Sequence, residues 1–243
     1  MRRLASLAAI GTGLCLMAGS ASAAIVTYYG NDNGAVAGGA RPNANAALNS
    51  FNAAAGVGGT INFEGVANAV NPANVTLATG VKLTATGNSS TGGIRSTADT
   101  TPLGFNTSAV GSKWLQMRPI TSGTATAVFT FTTAINAFGA FFSDTETGFP
   151  GNITIGFNDG TAQSLGLTKG ANGGGVLFFG FTDLGKSFTS VTISTGLTNS
   201  LRDIFGIDDV RYVAAPAARV PEPTTLALVA LALAGLGLTR RRA

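Results

Sequence analysis

The chain contains no histidine, and its single cysteine, Cys15, lies in an apolar stretch near the start. That removes Ser-His-Asp and Cys-His nucleophilic sites, histidine general bases and histidine-ligated zinc. Carboxylates remain, so the open chemistry is oxygen ligation of a hard cation or acid–base work by paired acids. Glu64 ends an alternating run in Ile61-Asn62-Phe63-Glu64-Gly65. Asp208 and Asp209 are adjacent in Phe205-Gly206-Ile207-Asp208-Asp209-Val210. Asp144 and Glu146 stand two apart behind a Phe-rich run. Adjacent aspartates in an apolar strand push at least one carboxylate toward a buried face, where an unpaired charge is costly. Structural Ca2+ would remove that cost. Alternatively, one Asp faces solvent and the other pairs with Arg202 or Arg211. Asp144 and Glu146 are the one candidate pair for glycoside hydrolysis, and a solvated loop is the simpler account of them. No residue is assigned a catalytic role. Trp114 and Tyr212 are the candidate glycan contacts, with Tyr28 and Tyr29 as further rings, although a lone Trp usually belongs to a core. No Gly-x-Gly-x-x-Gly spacing sits between a strand and a helix, which argues against nucleotide binding.

The elements that must position these residues are strands. Residues 24–213 are rich in Gly, Thr, Asn, Ala and Phe and carry no long helical period. Short alternating runs broken by Gly and Asn read as all-β. Strands are expected at 25–29, 60–64, 75–79, 81–86 and 113–118, with a turn at Gly80 and a short helix at 44–54. Residues 88–106 read as a polar loop. Two further strands are expected at 125–132 and 135–143. In the first, Phe129 and Phe131 share one face, and Thr130 and Thr132 the other. Residues 152–158 and 163–167 form a hairpin around Asp159-Gly160. Residues 176–181, 187–194 and 204–213 complete a two-sheet antiparallel β-sandwich of jelly-roll type. The phenylalanines are expected in its core rather than as ligand platforms.

Both ends read as targeting signals. Residues 1–23 have a basic start at Arg2-Arg3, an apolar run and a small-x-small site at Ala21-Ser22-Ala23. The mature chain is therefore expected to begin near Ala24, after general secretion. The remainder has no cysteine, so an exported domain must hold itself together by its core. The net charge of +4 comes from the ends, because residues 24–219 hold ten basic and ten acidic side chains. The basic balance is no nucleic-acid footprint. Residues 214–219 read as a linker.

The last segment, 220–243, opens with Val220-Pro221-Glu222-Pro223, which the prolines keep out of a helix. Residues 224–239 carry no charge, and Arg240-Arg241-Arg242 follow. Sixteen helical residues span roughly 24 Å, and snorkelling arginines and a thinned bilayer extend this to membrane thickness. The arginines favour the cytoplasmic side and leave the body outside. The alternative is a buried terminal helix of the domain.

This tail resembles the PEP-CTERM sorting signal of Gram-negative bacteria in its Val-Pro-Glu-Pro motif, apolar span and Arg cluster. The resemblance implies recognition by an exosortase, a transient inner-membrane stage, removal of the tail, and a place at the cell surface or in a biofilm matrix with extracellular polysaccharide. The pattern from Phe63-Glu64-Gly65 to Phe205-Gly206-Ile207-Asp208-Asp209-Val210 resembles carbohydrate-binding-module-like jelly rolls. That resemblance implies Glu64, Asp208 and Asp209 as ligands of a structural Ca2+. The expectation is a non-catalytic exported surface protein, with polysaccharide binding as its sharper form. The alternatives are a carboxylate-dependent glycosidase or lyase and a self-associating matrix protein.

Overall fold

A computed structural model describes residues 25–97, 103–120, 123–145, 153–165, 174–195 and 204–216. The expected signal peptide, Glu146, Arg202, the end of the expected linker and the whole sorting tail, with its expected membrane helix, lie outside these residues. Among the described residues no helix is long and apolar enough to cross a membrane.

The fold is built on β7 (Thr126–Ser143), 18 residues long. At about 3.3 Å per residue such a strand extends roughly 60 Å, more than one sheet of a small domain needs. It therefore serves two sheets. Its first half pairs with β4 (Val81–Thr86) and β11 (Phe188–Ser194). Its second half pairs with β10 (Gly175–Thr182) and β12 (Phe205–Ala214). Between the halves the register with β11 jumps from Ser190↔Thr130 to Phe188↔Ile135, which marks the corner. The sequence reading split this segment into two strands. No Gly or Pro interrupts residues 131–135, so the chain bends without a break in its strand geometry.

The first sheet runs β3 (Val75–Ala78), β4, β7, β11, β8 (Ile153–Phe157), β9 (Ala162–Leu165). The second runs β1 (Val26–Asn33), β10, β7, β12. Beyond β12 lie β6 (Lys113–Met117) with β5 (Gly93–Ser96) at one end, and β2 (Gly59–Ile61) at the other. All pairings are antiparallel. β5 is a correction, because it lies in the stretch expected to be a loop. At four residues with one Gly, its alternation is too short to stand out.

The two sheets face each other across a phenylalanine core. Phe129, Phe138, Phe157, Phe181 and Phe188 are buried there, with Phe157 and Phe181 4.8 Å apart edge to face. The second half of β7 is buried on both faces, because α1 (Pro42–Ala55) lies on its outer side. Ala44, Ala47 and Phe51 form the helix's inward stripe. Pro42 opens the helix and Gly56, at φ 86°, follows it. Arg41 supplies no side-chain cap. Asp32 of β1 accepts instead from the Asn43 and Ala44 amides at 3.1 and 2.8 Å, anchoring the helix to the sheet. Gly30 lets the helix approach, since a Cβ there would lie 2.1 Å from the Asn43 carbonyl oxygen.

Candidate functional site

Strict alternation would send Asp208 and Asp209 to opposite faces, yet both reach the same side. The cause is a β-bulge in β12. Asp208 pairs with Phe141 but Arg211 pairs with Gly139, so three steps on β12 match two on β7. Asp209 takes the extra position with φ 46° in the left-handed region. Its Oδ2 accepts from the Thr107 hydroxyl at 3.2 Å, while Asp208 Oδ2 accepts from the same hydroxyl at 3.1 Å.

What these carboxylates hold is a strap, residues 103–112, laid over the outer face of the second sheet. Asp208 accepts from the Thr107 and Ser108 amides at 2.7 and 3.2 Å, and Asp209 from the Ser108 hydroxyl at 2.9 Å. The Ser143 hydroxyl bonds both the amide and the carbonyl of Phe105 at 2.8 and 2.7 Å. Asp144 accepts from the Gly104 amide at 2.9 Å, and Gln116 donates to the Leu103 carbonyl. Arg41, whose guanidinium lies 4.6 Å over the Phe141 ring, donates to the Thr107 carbonyl and so ties the helix start to the strap.

Glu64 holds the far end of the strap. Its Oε1 accepts from the Ser112 and Lys113 backbone amides, both at 2.6 Å, and from the Asn106 side-chain Nδ2 at 3.4 Å. Oε2 takes the Ser112 hydroxyl at 3.1 Å. Among the described residues no three His, Cys, Asp or Glu side chains gather with metal-ligand spacing, so Glu64 does not join the aspartates. The strap separates them: one carboxylate grips residues 112–113 and the pair grips residues 107–108. Neither aspartate pairs with Arg211, which donates to the Thr60 hydroxyl.

The aspartate pair is electrostatically strained. Asp208 is fully enclosed, and its Oδ1 is buried without a partner among the described residues. Burial, and then the neighbouring Asp209 charge, push its carboxyl up to about 7, against the Thr107 hydrogen bonds. Asp144 is also pushed upward by burial, opposed by the Gly104 amide. Its expected partner, Glu146, lies outside the described residues.

Trp114 requires a correction. Its ring is only 1% exposed on the strap-covered face of β6, so it is enclosed in the protein and out of reach of a sugar. Its fluorescence is expected to be blue-shifted, shielded from acrylamide and unchanged by added oligosaccharide. A ligand-dependent change in emission would contradict this placement. Tyr212 is different. It is half-buried, packs on Phe131 at 5.2 Å, and lines a cavity of about 330 Å³ between the end of α1 and the β2–β12 edge. The strap was not legible in the sequence. Its one local signal is the polar run Asn106-Thr107-Ser108.

Two solved structures resemble the chain. The K2 cleaved adhesin domain of Lys-gingipain aligns at 16% identity and a TM-score of 0.43, over 65% of this chain and 98% of that one. The enzymatically active domain of tailspike protein 4 of bacteriophage CBA120 aligns at 14% identity and a TM-score of 0.34, over 60% of this chain and 21% of that one. No curated protein matches the chain. Residues 219–242 match the PEP-CTERM protein-sorting motif, and this marks the chain as an exported protein of the kind sorted by an exosortase.

Proposed function

We propose that the body is a non-catalytic, polysaccharide-binding module of the cell surface or extracellular matrix, delivered there by its sorting tail. The observation that carries this reading is the join of the sorting motif to an antiparallel sandwich in which Tyr212 lines a cavity. A half-buried ring held by packing suits stacking on sugars. The non-catalytic reading is supported by the work the acids already do: Glu64, Asp208 and Asp209 all accept hydrogen bonds from the strap.

The donor set also supports a structural Ca2+ at the aspartate pair. Asp208 has an unpartnered oxygen, and Asp209 and the Thr107 and Ser108 hydroxyls add further oxygens of the kind this ion takes. Glu64 does not fit as a ligand there, because three N–H groups already occupy its Oε1. A bound ion would neutralise the buried charge and stiffen the strap.

Intact mass tests the delivery half of the proposal. Protein recovered from hosts with the sorting protease is expected to begin near Ala24 and to lack the segment after Val220-Pro221-Glu222-Pro223. Hosts without the protease are expected to retain that segment. A tail that persists in both hosts overturns processing. Binding is tested by retention of the protein on the host's own polysaccharide and on a glycan array. Silence in both overturns the sugar-binding reading. Concentration-dependent sedimentation in its place would favour the self-associating matrix protein.

A further inference from the structure

We propose that the cleft between the end of α1 and the β2–β12 edge takes an acidic sugar residue, with Arg211 binding its carboxylate. This inference rests on the polysaccharide-binding reading and names its ligand class. The cleft, about 330 Å³, is lined by Phe51, Asn52, Thr60, Arg211, Tyr212 and the 56–59 loop. That volume is at the lower end for a small-molecule site and suits a monosaccharide unit.

Arg211 carries the argument. Its guanidinium donates to the Thr60 hydroxyl, which orients it, while its Nε–H is buried and has no partner among the described residues. No carboxylate of the described residues forms an ion pair with it. Asp209, two positions away, is committed to the strap, and Asp159 pairs with Lys186. A permanent cation that lines a cleft with no carboxylate beside it is left uncompensated, and a ligand carboxylate supplies charge-assisted hydrogen bonds to it. The other lining groups suit the rest of a sugar. The Asn52 amide offers a donor and an acceptor for ring hydroxyls. Tyr212 lines the cleft with its ring set against Gly59, where a Cβ would come 2.2 Å from the ring's Cζ. Tyr212 also lines a second cavity of about 180 Å³ with Thr79, Thr132 and Thr133, so a polymer crossing its ring meets both hollows.

The test is calorimetry on the full-length protein with a galacturonate tetramer, its neutral methyl ester and a poly-glutamate of equal charge. The acid is expected to bind at least about tenfold tighter than the ester, and Arg211→Gln to remove that preference. Val57 sits on the cleft lip and is fully exposed, so a substitution there leaves folding intact. Val57→Glu is expected to weaken the acid several-fold and to spare the ester, which keeps the inference testable if Arg211→Gln misfolds. Equal binding of acid and ester by the unaltered protein overturns the Arg211 inference and leaves the sugar-binding reading standing. Binding of neither overturns both. Poly-glutamate binding as tight as that of the uronate, or a Val57→Glu protein whose preference for the acid is undiminished, shows that the cleft does not read an acidic sugar.

Discussion

In the presence of chelator, the protein is expected to lose stability as pH rises from 4 to 7. Folded Asp208 keeps its proton up to about 7, whereas the unfolded chain releases it near 3.8. Between those values the folded state binds one proton more than the unfolded state, so stability falls by about 1.4 kcal/mol per pH unit. The loss begins above the unfolded value and is complete once pH passes the folded one, reaching on the order of 4 kcal/mol. Melting curves of the unaltered protein and of Asp208→Asn isolate this group. The variant keeps a neutral side chain over the strap and is expected to show a flatter profile and to be the more stable of the two at pH 8. Identical profiles would remove Asp208 as the titrating group. Ca2+ favours the anionic carboxylate, so it is expected to raise the melting temperature at pH 8 and to have little effect at pH 5. Unchanged melting at pH 8, with and without Ca2+, would rule out a cation at the aspartate pair.

Phe181→Ala is expected to cost about 3–5 kcal/mol, measured by urea unfolding. The ring is fully buried where the two sheets face each other, 6.2 Å from Phe138, 4.8 Å from Phe157 and 6.1 Å from Phe188. Four aromatic side chains share this space, so the void left by one cannot close by a single rotamer change. Thr130→Ala, on the exposed face of β7, is expected to change stability by less than about 0.5 kcal/mol and serves as the control. A comparable loss at both positions would mean that the period-two assignment of faces in β7 is mistaken.

Those faces were legible without coordinates. Phe129 and Phe131 alternate with Thr130, and the structure buries the aromatics and exposes the threonine. Asp159-Gly160 marked its hairpin, with Gly160 at φ 82°. Gly80 marked the turn from β3 to β4, and the Ala-rich stretch between Pro42 and Gly56 marked the helix. These signals are local, since turn chemistry, capping and period depend on a few neighbouring residues. β5 and the unbroken course of β7 were missed because strand identity there depends on partners rather than on the strand's own pattern.

The aspartate pair shows where local reasoning stops. The sequence pointed correctly to a carboxylate driven into a buried environment, since Asp208 is fully enclosed. It gave no sign of the bulge that turns both aspartates to one side, nor of a strap 101 residues away along the chain. The same limit bears on Trp114: a lone Trp leans toward a core, and only the tertiary structure, which encloses it, closes off the ligand reading.

The sequence by itself determined that this chain is exported, that its tail carries a sorting motif, and that its body is built of antiparallel strands. Each of these rests on contiguous residues whose polarity and backbone preference act over a few positions. The tertiary structure alone decided that Glu64 holds a different part of the strap from Asp208 and Asp209, that Trp114 is enclosed, and that Arg211 and Tyr212 line one cleft. Those outcomes depend on β-pairings and hydrogen bonds between distant segments, for which sequence spacing carries no distance.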